Sequence, residues 1–295
     1  MKILVLGATG MLGHKLMQVL SNKHDVFGTI RGKSSIYETY PVLSGLSLIS
    51  ETHAEDFDSI ITALAEGQPD VVINCIGIIK QNPLSNDPLY SIKINSLFPH
   101  RLQRLCKSTG ARMIHISTDC VFSGRKGYYS ESDKSDAEDL YGRTKFLGEV
   151  SEPGSLTIRT SIIGRELQGK YGLLEWFLGN KGGRVQGYAN AIFTGFTSLA
   201  LANIIENMIK FHPDLHGIWH ISSAPISKFD LLMLINQKMD LHIVVDRNDN
   251  FRCDRSLNSD HFRKATGFIP PSWEEMIAEM TREDSEKPYL IDNFK

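Results

Sequence analysis

A run of glycines near the N-terminus constrains this chain more than any other feature of its sequence. Gly7, Gly10 and Gly13 have the spacing GxxGxxG and lie between an apolar strand at residues 3–6 and a predicted helix at 12–20. Glycines at such a junction allow a tight turn and let the backbone approach a pyrophosphate, which rests against the N–H groups of the helix N-terminus. The segment therefore predicts a dinucleotide site, and its alternative is a simple strand-to-helix turn. The loop residues are Gly7, Thr9, Gly10, Met11, Leu12 and Gly13.

Short apolar strands alternate with helical stretches through the first half of the chain. We predict further strands at 25–30, 71–74 and 111–116, helices at 59–65 and 94–106, and an irregular run at 31–56. Fully apolar strands that alternate with helices are typical of a parallel sheet covered on both faces. The predicted fold class is therefore α/β, with a Rossmann-type doubly wound parallel sheet.

The composition changes after Gly164, where we place a domain boundary. Residues 1–164 are predicted to form the dinucleotide-binding domain, to which later segments can return, and residues 165–295 the substrate-binding region. Glycines and cations concentrate at 168–187, which predicts mobile loops that meet an anionic ligand or, alternatively, a solvated loop. Helical patterns at 198–210, 228–238 and 273–281 predict a smaller α-rich C-terminal domain, with a charged, peripheral segment at 282–295.

The overall composition excludes several classes of function. The chain has 295 residues and a net charge of −2, so it offers no electrostatic case for nucleic acid. The four cysteines are scattered and show no ligand spacing, so we expect neither a zinc site nor a disulfide framework. Apolar runs are too short to cross a bilayer, and the first strand leaves no room for a signal peptide. We therefore expect a cytoplasmic protein with no metal and no membrane partner.

The end of the second strand indicates which dinucleotide binds. NAD sites usually place an acid there, whereas this chain has Arg31, 18 residues after Gly13. A guanidinium can pair with a 2′-phosphate that an acid would repel. The prediction is therefore NADP(H), and the alternative is that Arg31 is merely solvated.

Three polar residues downstream form a candidate catalytic set. Thr118 follows the strand at 111–116, and Tyr141 and Lys145 form a YxxxK pair on one face of a predicted helix. A phenol is a poor acid–base catalyst at neutral pH until a neighbouring ammonium stabilises its phenolate. We expect Thr118 to hold a carbonyl oxygen against the Tyr141 hydroxyl, and Lys145 to contact the nicotinamide ribose as well.

With these motifs in order, the sequence resembles the extended short-chain dehydrogenase/reductases, most closely the dTDP-4-dehydrorhamnose reductase group. The resemblance runs from residue 1 to about residue 280 and is strongest over the first 165. It is carried by the segments GATGMLG (7–13), PDVVINCIG (69–77), HISTDCVFSG (115–124), YGRTKFLGE (141–149) and IRTS (158–161).

The resemblance implies roles for further residues. Thr118, Tyr141 and Lys145 match the catalytic residues of the family. Asn95 matches a residue often counted with them, or is a helix-capping or buried polar side chain. The remaining matches are Asp56 and Phe57 for adenine, Cys75, Ile76 and Gly77 for the strand end that lines the cofactor, and Asp119, Val121 and Phe122 for the loop beside the sugar.

The substrate side departs from the family pattern. An RPxxSxL run that meets the sugar nucleotide reads here Arg252-Cys253-Asp254-Arg255-Ser256-Leu257, and Ile162 stands where an aromatic is common. We take Arg252, with Lys181 and Arg184 of the glycine-rich stretch, as candidate ligands of the substrate diphosphate; alternatively all three are ordinary surface charges.

The resemblance favours NADPH-dependent reduction of the 4-keto group of a nucleotide-activated deoxysugar. Candidates are dTDP-4-dehydrorhamnose and a UDP-linked N-acetylated 6-deoxyhexos-4-ulose, and the departures favour a non-rhamnose sugar. Two alternatives remain: a nucleotide-sugar epimerase with tightly held NAD, and a non-catalytic subunit like the β subunit of methionine adenosyltransferase. The family also implies a homodimer, formed by the helices of Asn95 and Tyr141. Leu97, Leu102, Leu105 and Cys106 supply apolar surface for it, or instead cover the sheet.

Overall fold

The computed structural model describes residues 1–37, 40–167 and 169–286. The strands in this part are β1 (Lys2–Leu6), β2 (Asp25–Thr29), β3 (Ser47–Ile49), β4 (Val71–Asn74), β5 (Arg112–Ile116), β6 (Ser155–Arg159), β7 (Ile162–Ile163), β8 (Arg184–Phe193), β9 (Phe196–Thr197), β10 (Gly217–His220), β11 (Ile226–Ser227) and β12 (Val244–Asp254). The α-helices are α1 (Gly13–Ser21), α2 (Ser34–Tyr37), α3 (Phe57–Gly67), α4 (Pro88–Ser91), α5 (Phe98–Thr109), α6 (Leu140–Leu147), α7 (Leu173–Leu178), α8 (Ser198–Phe211), α9 (Lys228–Lys238), α10 (Asp260–Thr266) and α11 (Trp273–Glu286).

Seven strands form one parallel sheet in the order β10-β6-β5-β4-β1-β2-β3. The chain starts at β1 in the middle, runs out to β3, returns to β4 beside β1 and then runs to the other edge. This reversal of direction beside β1 makes the doubly wound sheet of the Rossmann type. The predicted fold class is confirmed.

The alternation of side chains along β1 explains why helices cover both faces of the sheet. Ile3 and Val5 belong to a buried cluster with residues of α1 and α8. Leu4 and Leu6 belong to a second buried cluster with residues of α3 and α5. Because neighbouring side chains of a strand point to opposite faces, a fully apolar strand requires a helical layer on each side.

Two segments that we predicted to be irregular contain strands. The run at 31–56 includes β3, which pairs with β2 at the edge of the sheet. It has only three residues, none of them fully buried, so it leaves a weak pattern in the sequence. The glycine-rich stretch includes α7 and the start of β8, while Gln168 lies outside the described residues.

The C-terminal half contains the predicted helices and two long strands that were not predicted. Helices α8, α9 and α11 confirm the three helical patterns. Strands β8 and β12 pair in parallel over most of their length, and β11 joins the other side of β8. β12 is largely exposed, so it lacks the apolar alternation of a half-buried strand. β10 returns to the main sheet beside β6, and the division into domains stays a prediction.

The segment at 282–295 is not peripheral where it is described. Residues 282–286 continue α11. Glu283 forms an ion pair with the buried Lys15 of α1, and Asp284 pairs with Arg165 at 2.9 Å. The last turn of α11 is therefore tied to the first turn of α1, immediately after the glycine loop. Residues 287–295 lie outside the described part.

Candidate active site

The glycine loop forms a close-packed turn between β1 and α1. Gly7 has a φ of +83°, and its amide donates to the Thr29 hydroxyl at 3.1 Å. A Cβ on Gly13 would stand 2.0 Å from the Gly7 carbonyl oxygen, so no other residue fits there. Gly10 is exposed and leaves the backbone open to a ligand. The loop thus has the form that a dinucleotide pyrophosphate requires.

The end of β2 presents a cation at the edge of this loop. Arg31 is exposed, two residues after the strand. The Glu55 carboxylate accepts a hydrogen bond from the Tyr90 hydroxyl. Burial raises the pKa of Glu55, but the bond from Tyr90 and the charge of Arg31 outweigh it, so its pKa lies below the ordinary value. Glu55, the acid near Arg31, is therefore already hydrogen-bonded to Tyr90.

Asp56 and Phe57 occupy the start of α3. The Asp56 carboxylate accepts from the Asp58 amide at 3.2 Å and begins the helix. The Phe57 ring packs edge-on against Phe98, with centroids 6.3 Å apart, and the Arg101 guanidinium lies over it at 3.9 Å. Both side chains thus have structural contacts, and their contact with adenine stays a prediction.

Thr118, Tyr141 and Lys145 meet at the carboxyl edge of the sheet. Thr118 lies two residues beyond β5, and its hydroxyl accepts from the Cys120 amide at 3.1 Å. Asp139 begins α6 by accepting from the Gly142 amide at 2.8 Å, which presents Tyr141 and Lys145 on one side of the helix. The Thr118 side chain lowers the pKa of Tyr141 against the effect of burial, so the two side chains are close together. The structure therefore brings together the three residues that the sequence selected.

The electrostatics keep the Tyr141 hydroxyl protonated and the Lys145 amine able to titrate. Burial, above all, raises the pKa of Tyr141 above its usual value. Burial lowers the pKa of Lys145 to about 8, against the opposing charge of Glu149. The Lys145 ammonium donates to the Ile116 carbonyl at 2.7 Å.

The strand end at β4 lies next to Lys145. Burial raises the pKa of the Cys75 thiol to about 12, although the charge of Lys145 opposes this shift. An ideal Cβ on Gly77, which is exposed, would lie 3.7 Å from the Lys145 amine. Ile76 contacts the other side of the site, since its Cγ1 would lie 3.2 Å from a Cβ on Gly7. Cys75, Ile76 and Gly77 thus border both the glycine loop and the catalytic candidates.

Asn95 fastens the loop after β4 to α6. It lies in a π-helical turn, Ile92–Leu97, and is almost fully buried. Its side chain accepts from the Ile78 amide at 2.8 Å and donates to the Ile78 carbonyl and to the Thr144 hydroxyl. A Cβ on Gly148 would lie 1.8 Å from the Asn95 carbonyl oxygen, so α6 and this turn are in direct backbone contact.

The loop after Thr118 is held from beneath by buried aromatic side chains. Val121 and Phe122 are fully buried, and the Phe122 ring stacks on Tyr129 at 4.2 Å. Both side chains thus support the loop from within the protein, and their contact with a substrate stays a prediction. Asp119 lies beside Thr118, whose hydroxyl donates to it at 3.2 Å, and burial raises its pKa.

The predicted diphosphate ligands are dispersed. Arg184 begins β8 and forms a two-bonded ion pair with Asp246, at 2.6 and 2.8 Å. The opposite end of this sheet adjoins the Thr118 loop, because the Asp254 amide donates to the Gly124 carbonyl. Asp254 pairs with Ile192, which lies eight residues along β8 from Arg184. At about 3.3 Å per residue, the distance between Arg184 and this end of the strand is roughly 26 Å. Lys181 lies three residues before Arg184, at the same far end, so neither residue is brought to the site. Arg252 is exposed and only two residues from Asp254, so it lies near the Thr118 loop.

Sequence reasoning missed Arg255, Glu149 and Arg159. The Arg255 guanidinium donates to the Phe122 carbonyl at 2.8 Å and to the Cys120 sulfur at 3.7 Å, so it holds the Thr118 loop. Arg255 lies in the same short run, residues 252–257, as Arg252. The resemblance of this run to the family pattern could have identified Arg255 as a site residue. Glu149 and Arg159 form a buried ion pair under α6, and both lie within the segments that carry the family resemblance.

Neither a metal site nor a membrane span is found in the described part of the chain. Within residues 1–37, 40–167 and 169–286, no group of three or more His, Cys, Asp or Glu side chains could hold a metal ion. In the same ranges, no helix is both long and apolar enough to cross a bilayer.

A doubly wound sheet with a glycine-rich loop at its centre places this protein among the Rossmann-type dinucleotide-binding folds. The chain belongs to the family described as the RmlD substrate binding domain, whose model matches residues 1–285. The predicted family resemblance is confirmed.

Individual relatives agree with this assignment. The chain is 27% identical over 242 residues to a dTDP-4-dehydrorhamnose reductase of Mycolicibacterium smegmatis, covering 78% of this chain and 66% of that protein. It is similar to a crystal structure described as a hypothetical dTDP-4-dehydrorhamnose reductase from Sulfolobus tokodaii, with a TM-score of 0.77, 27% identity and coverage of 93% and 98%. The fold also matches dTDP-4-dehydrorhamnose reductase from Bacillus anthracis in complex with NADP, with a TM-score of 0.77, 20% identity and coverage of 95% and 98%.

The dTDP-4-dehydrorhamnose reductases among the curated relatives are matched over only part of their length. Alignments to dTDP-4-dehydrorhamnose reductases cover between 34% and 66% of those proteins. Their activity and substrate therefore enter below as proposals.

Proposed function

We propose that this protein reduces the 4-keto group of a nucleotide-activated deoxysugar with NADPH, and that Tyr141 is the proton donor. The observation that carries the proposal is the meeting of Thr118, Tyr141 and Lys145 at the carboxyl edge of the sheet, next to the glycine loop. In open α/β sheets this edge is where ligands bind. dTDP-4-dehydrorhamnose and a UDP-linked N-acetylated 6-deoxyhexos-4-ulose are the two candidate substrates.

The residues present fit a nicotinamide dinucleotide. Gly13 has no room for a Cβ, Gly10 is open, and the Lys145 amine lies beside the exposed Gly77. The glycine loop would hold the pyrophosphate, Arg31 the 2′-phosphate, and Lys145 the nicotinamide ribose. The bound cofactor supplies the hydride that reduces the ketone.

Tyr141 and Thr118 act on the ketone oxygen. The Tyr141 hydroxyl carries its proton at neutral pH, as a general acid must, but burial raises its pKa and so makes it a weaker acid until a cation stabilises the phenolate. Thr118 holds the ketone oxygen next to this hydroxyl. The charge of Lys145 stabilises the phenolate that remains after the proton has left.

The sugar nucleotide lies between this edge and the carboxyl end of β12. Support comes from Asp119, which is next to Thr118, and from Arg252, which is exposed two residues before Asp254. Asp254 in turn contacts the Thr118 loop through the Gly124 carbonyl. We assign the substrate diphosphate to this end of the β8–β12 sheet and not to the end that holds Arg184.

The protein forms a homodimer through the helices around Asn95 and α6. Support comes from a patch of exposed apolar side chains on these helices: Leu89, Ile92, Leu97, Phe146 and Leu147. Leu102 and Cys106 are buried against the sheet and do not contribute.

Oxidation of NADPH by purified protein, measured with a panel of nucleotide 4-keto sugars, tests the proposed function. Tyr141→Phe should lower turnover at least about a hundredfold and leave NADPH affinity within a few-fold, since it removes the proton donor and keeps the ring. Near-normal turnover of this variant would contradict the role of Tyr141. Interconversion of sugar nucleotides without net NADPH oxidation would favour the epimerase, and no reaction with any sugar the non-catalytic subunit.

A further inference from the structure

A pair of opposite charges, Glu149 and Arg159, is buried near Lys145. Glu149 lies four residues after Lys145, just beyond the end of α6. Its carboxylate accepts two hydrogen bonds from the Arg159 guanidinium of β6, at 2.8 and 2.7 Å. The two side chains are only 2% and 3% exposed, so their charges are weakly screened by solvent.

The end of β5 holds this pair next to the Lys145 ammonium. The Ile116 carbonyl accepts from Lys145 at 2.7 Å, and the hydroxyl of the next residue, Ser117, donates to Glu149 at 2.7 Å. The ammonium and the carboxylate are therefore fixed on consecutive residues of one strand end. The charge of Glu149 also raises the pKa of Lys145 against the effect of burial, which places the carboxylate near the ammonium although Glu149 lies beyond the helix.

The other titratable groups around Lys145 are uncharged at neutral pH. Cys75, beyond β4, has a pKa raised to about 12 by burial. His115 of β5 is fully buried, and its pKa lies well below the usual value. Tyr141 of α6 has its pKa raised by burial. The π-helical turn contributes only the neutral Asn95 amide.

Charge balance makes Lys145 the member of this group that titrates. The Arg159 guanidinium does not deprotonate in proteins. One buried carboxylate, bonded to Arg159, then lies near two cations, and only Lys145 can release its proton to relieve the excess positive charge. We propose that Glu149 and Arg159 together set the charge of Lys145, Glu149 favouring the ammonium and Arg159 opposing it. This inference rests on the proposed function, in which the Lys145 ammonium assists Tyr141.

A purely structural role is the competing interpretation. Arg159 also donates to His220 Nε2 at 3.2 Å, while His220 Nδ1 donates to the Tyr129 carbonyl at 3.0 Å. If the pair only braces these segments, removing either partner breaks the same bridge and has the same consequence. If the pair acts through charge, removing the two partners shifts Lys145 in opposite directions.

The test is the titration of Lys145 in the folded protein without cofactor or substrate. The ¹³Cε resonance of labelled lysine is followed between pH 5 and 11, and Lys145→Met identifies the signal. Wild-type Lys145 should titrate near pH 8. Glu149→Gln should lower the midpoint by at least one unit, a tenfold loss of proton affinity, and Arg159→Met should raise it. Glu175→Gln, which breaks another largely buried ion pair, that with Arg165, is the matched control and should leave the midpoint in place.

Shifts of the same sign in the two variants, or a midpoint unchanged in both, would overturn the inference. If Glu149→Gln does not fold, Arg159→Met still decides, because only an upward shift supports the role of charge. Ser117→Ala keeps both charges but frees the Glu149 carboxylate, and a smaller downward shift is expected. None of these titrations requires turnover. If the wild-type protein reduces no sugar nucleotide but the two variants shift the Lys145 midpoint in opposite directions, the proposed function is refuted and the inference about Lys145 stands.

Discussion

Replacing Gly13 with alanine inserts a methyl group between the glycine loop and α1. The new Cβ would stand 2.0 Å from the Gly7 carbonyl oxygen and 2.9 Å from its carbonyl carbon, and real Cβ atoms essentially never approach closer than 3.0 Å. The neighbours are backbone atoms and cannot rotate away. The loop and the helix must therefore separate by about 1 Å, the difference between 3.0 and 2.0 Å.

A separation of this size has consequences for folding and for binding. The Gly10 amide donates to the Gly7 carbonyl, and the His14 amide to the Gly10 carbonyl, each at 3.1 Å, so another 1 Å would break both bonds. Overpacking typically costs about 1–3 kcal/mol, and each lost hydrogen bond about 1 kcal/mol. We expect Gly13→Ala to destabilise the protein by about 3–5 kcal/mol and to weaken NADPH binding at least tenfold.

Thermal unfolding and fluorescence titration with NADPH, applied to three variants, separate the two effects. Gly10→Ala meets nothing closer than 3.4 Å, so it should unfold like the wild type but bind NADPH more weakly. Gly67→Ala, in α3, has 3.8 Å of clearance and should keep full NADPH affinity, with stability unchanged or raised by up to about 1 kcal/mol. A Gly13→Ala protein that unfolds at the wild-type temperature and binds NADPH within twofold would refute this reasoning.

Three further variants or conditions test other parts of the site. Arg31→Ala should weaken NADPH about ten- to a hundredfold and NADH much less, since only NADPH carries the 2′-phosphate; equal weakening of both in a titration would place Arg31 elsewhere. The kcat/KM for NADPH, measured from pH 6 to 10, should fall above about pH 8, because the lowered pKa of Lys145 means that its ammonium is lost there in the cofactor-free protein; a flat profile to pH 10 would exclude this role. Leu97→Glu should convert a sedimenting dimer into a monomer, whereas Ile269→Glu, at an exposed apolar residue outside the patch, should not; a wild-type monomer at micromolar concentration would rule the dimer out.

Local signals account for the parts of the site that the sequence predicted. The glycine spacing specifies a turn within seven residues, and Tyr141 and Lys145 are neighbours on one helix because they are four residues apart. Each of these patterns needs only its own segment to form. The alternating buried faces of β1 likewise follow from five consecutive residues.

Long-range contacts account for what the sequence did not predict. Arg255 reaches the Phe122 carbonyl across 133 positions of sequence, and no periodicity in either segment indicates that pairing. Lys181 and Arg184 looked suitable as diphosphate ligands because a glycine-rich, basic stretch resembles an anion-binding loop. In the structure Arg184 begins a strand and is bound by Asp246, a partner 62 residues away. Residue type alone could not show that Arg255 lies at the candidate site and Arg184 does not.

The contacts of β12 couple the proposed substrate side to the proposed catalytic residues. The Asp254 amide donates to the Gly124 carbonyl, and the Tyr129 amide to the Ser256 carbonyl, each at 2.8 Å. A Cβ on Gly124 would lie 2.7 Å from the Cys253 sulfur, so this strand end fits directly against the loop that follows Thr118. Cys253 stands where the family pattern has proline. If the proposed function holds, a substitution that adapts β12 to another sugar would therefore also displace the loop beside Tyr141.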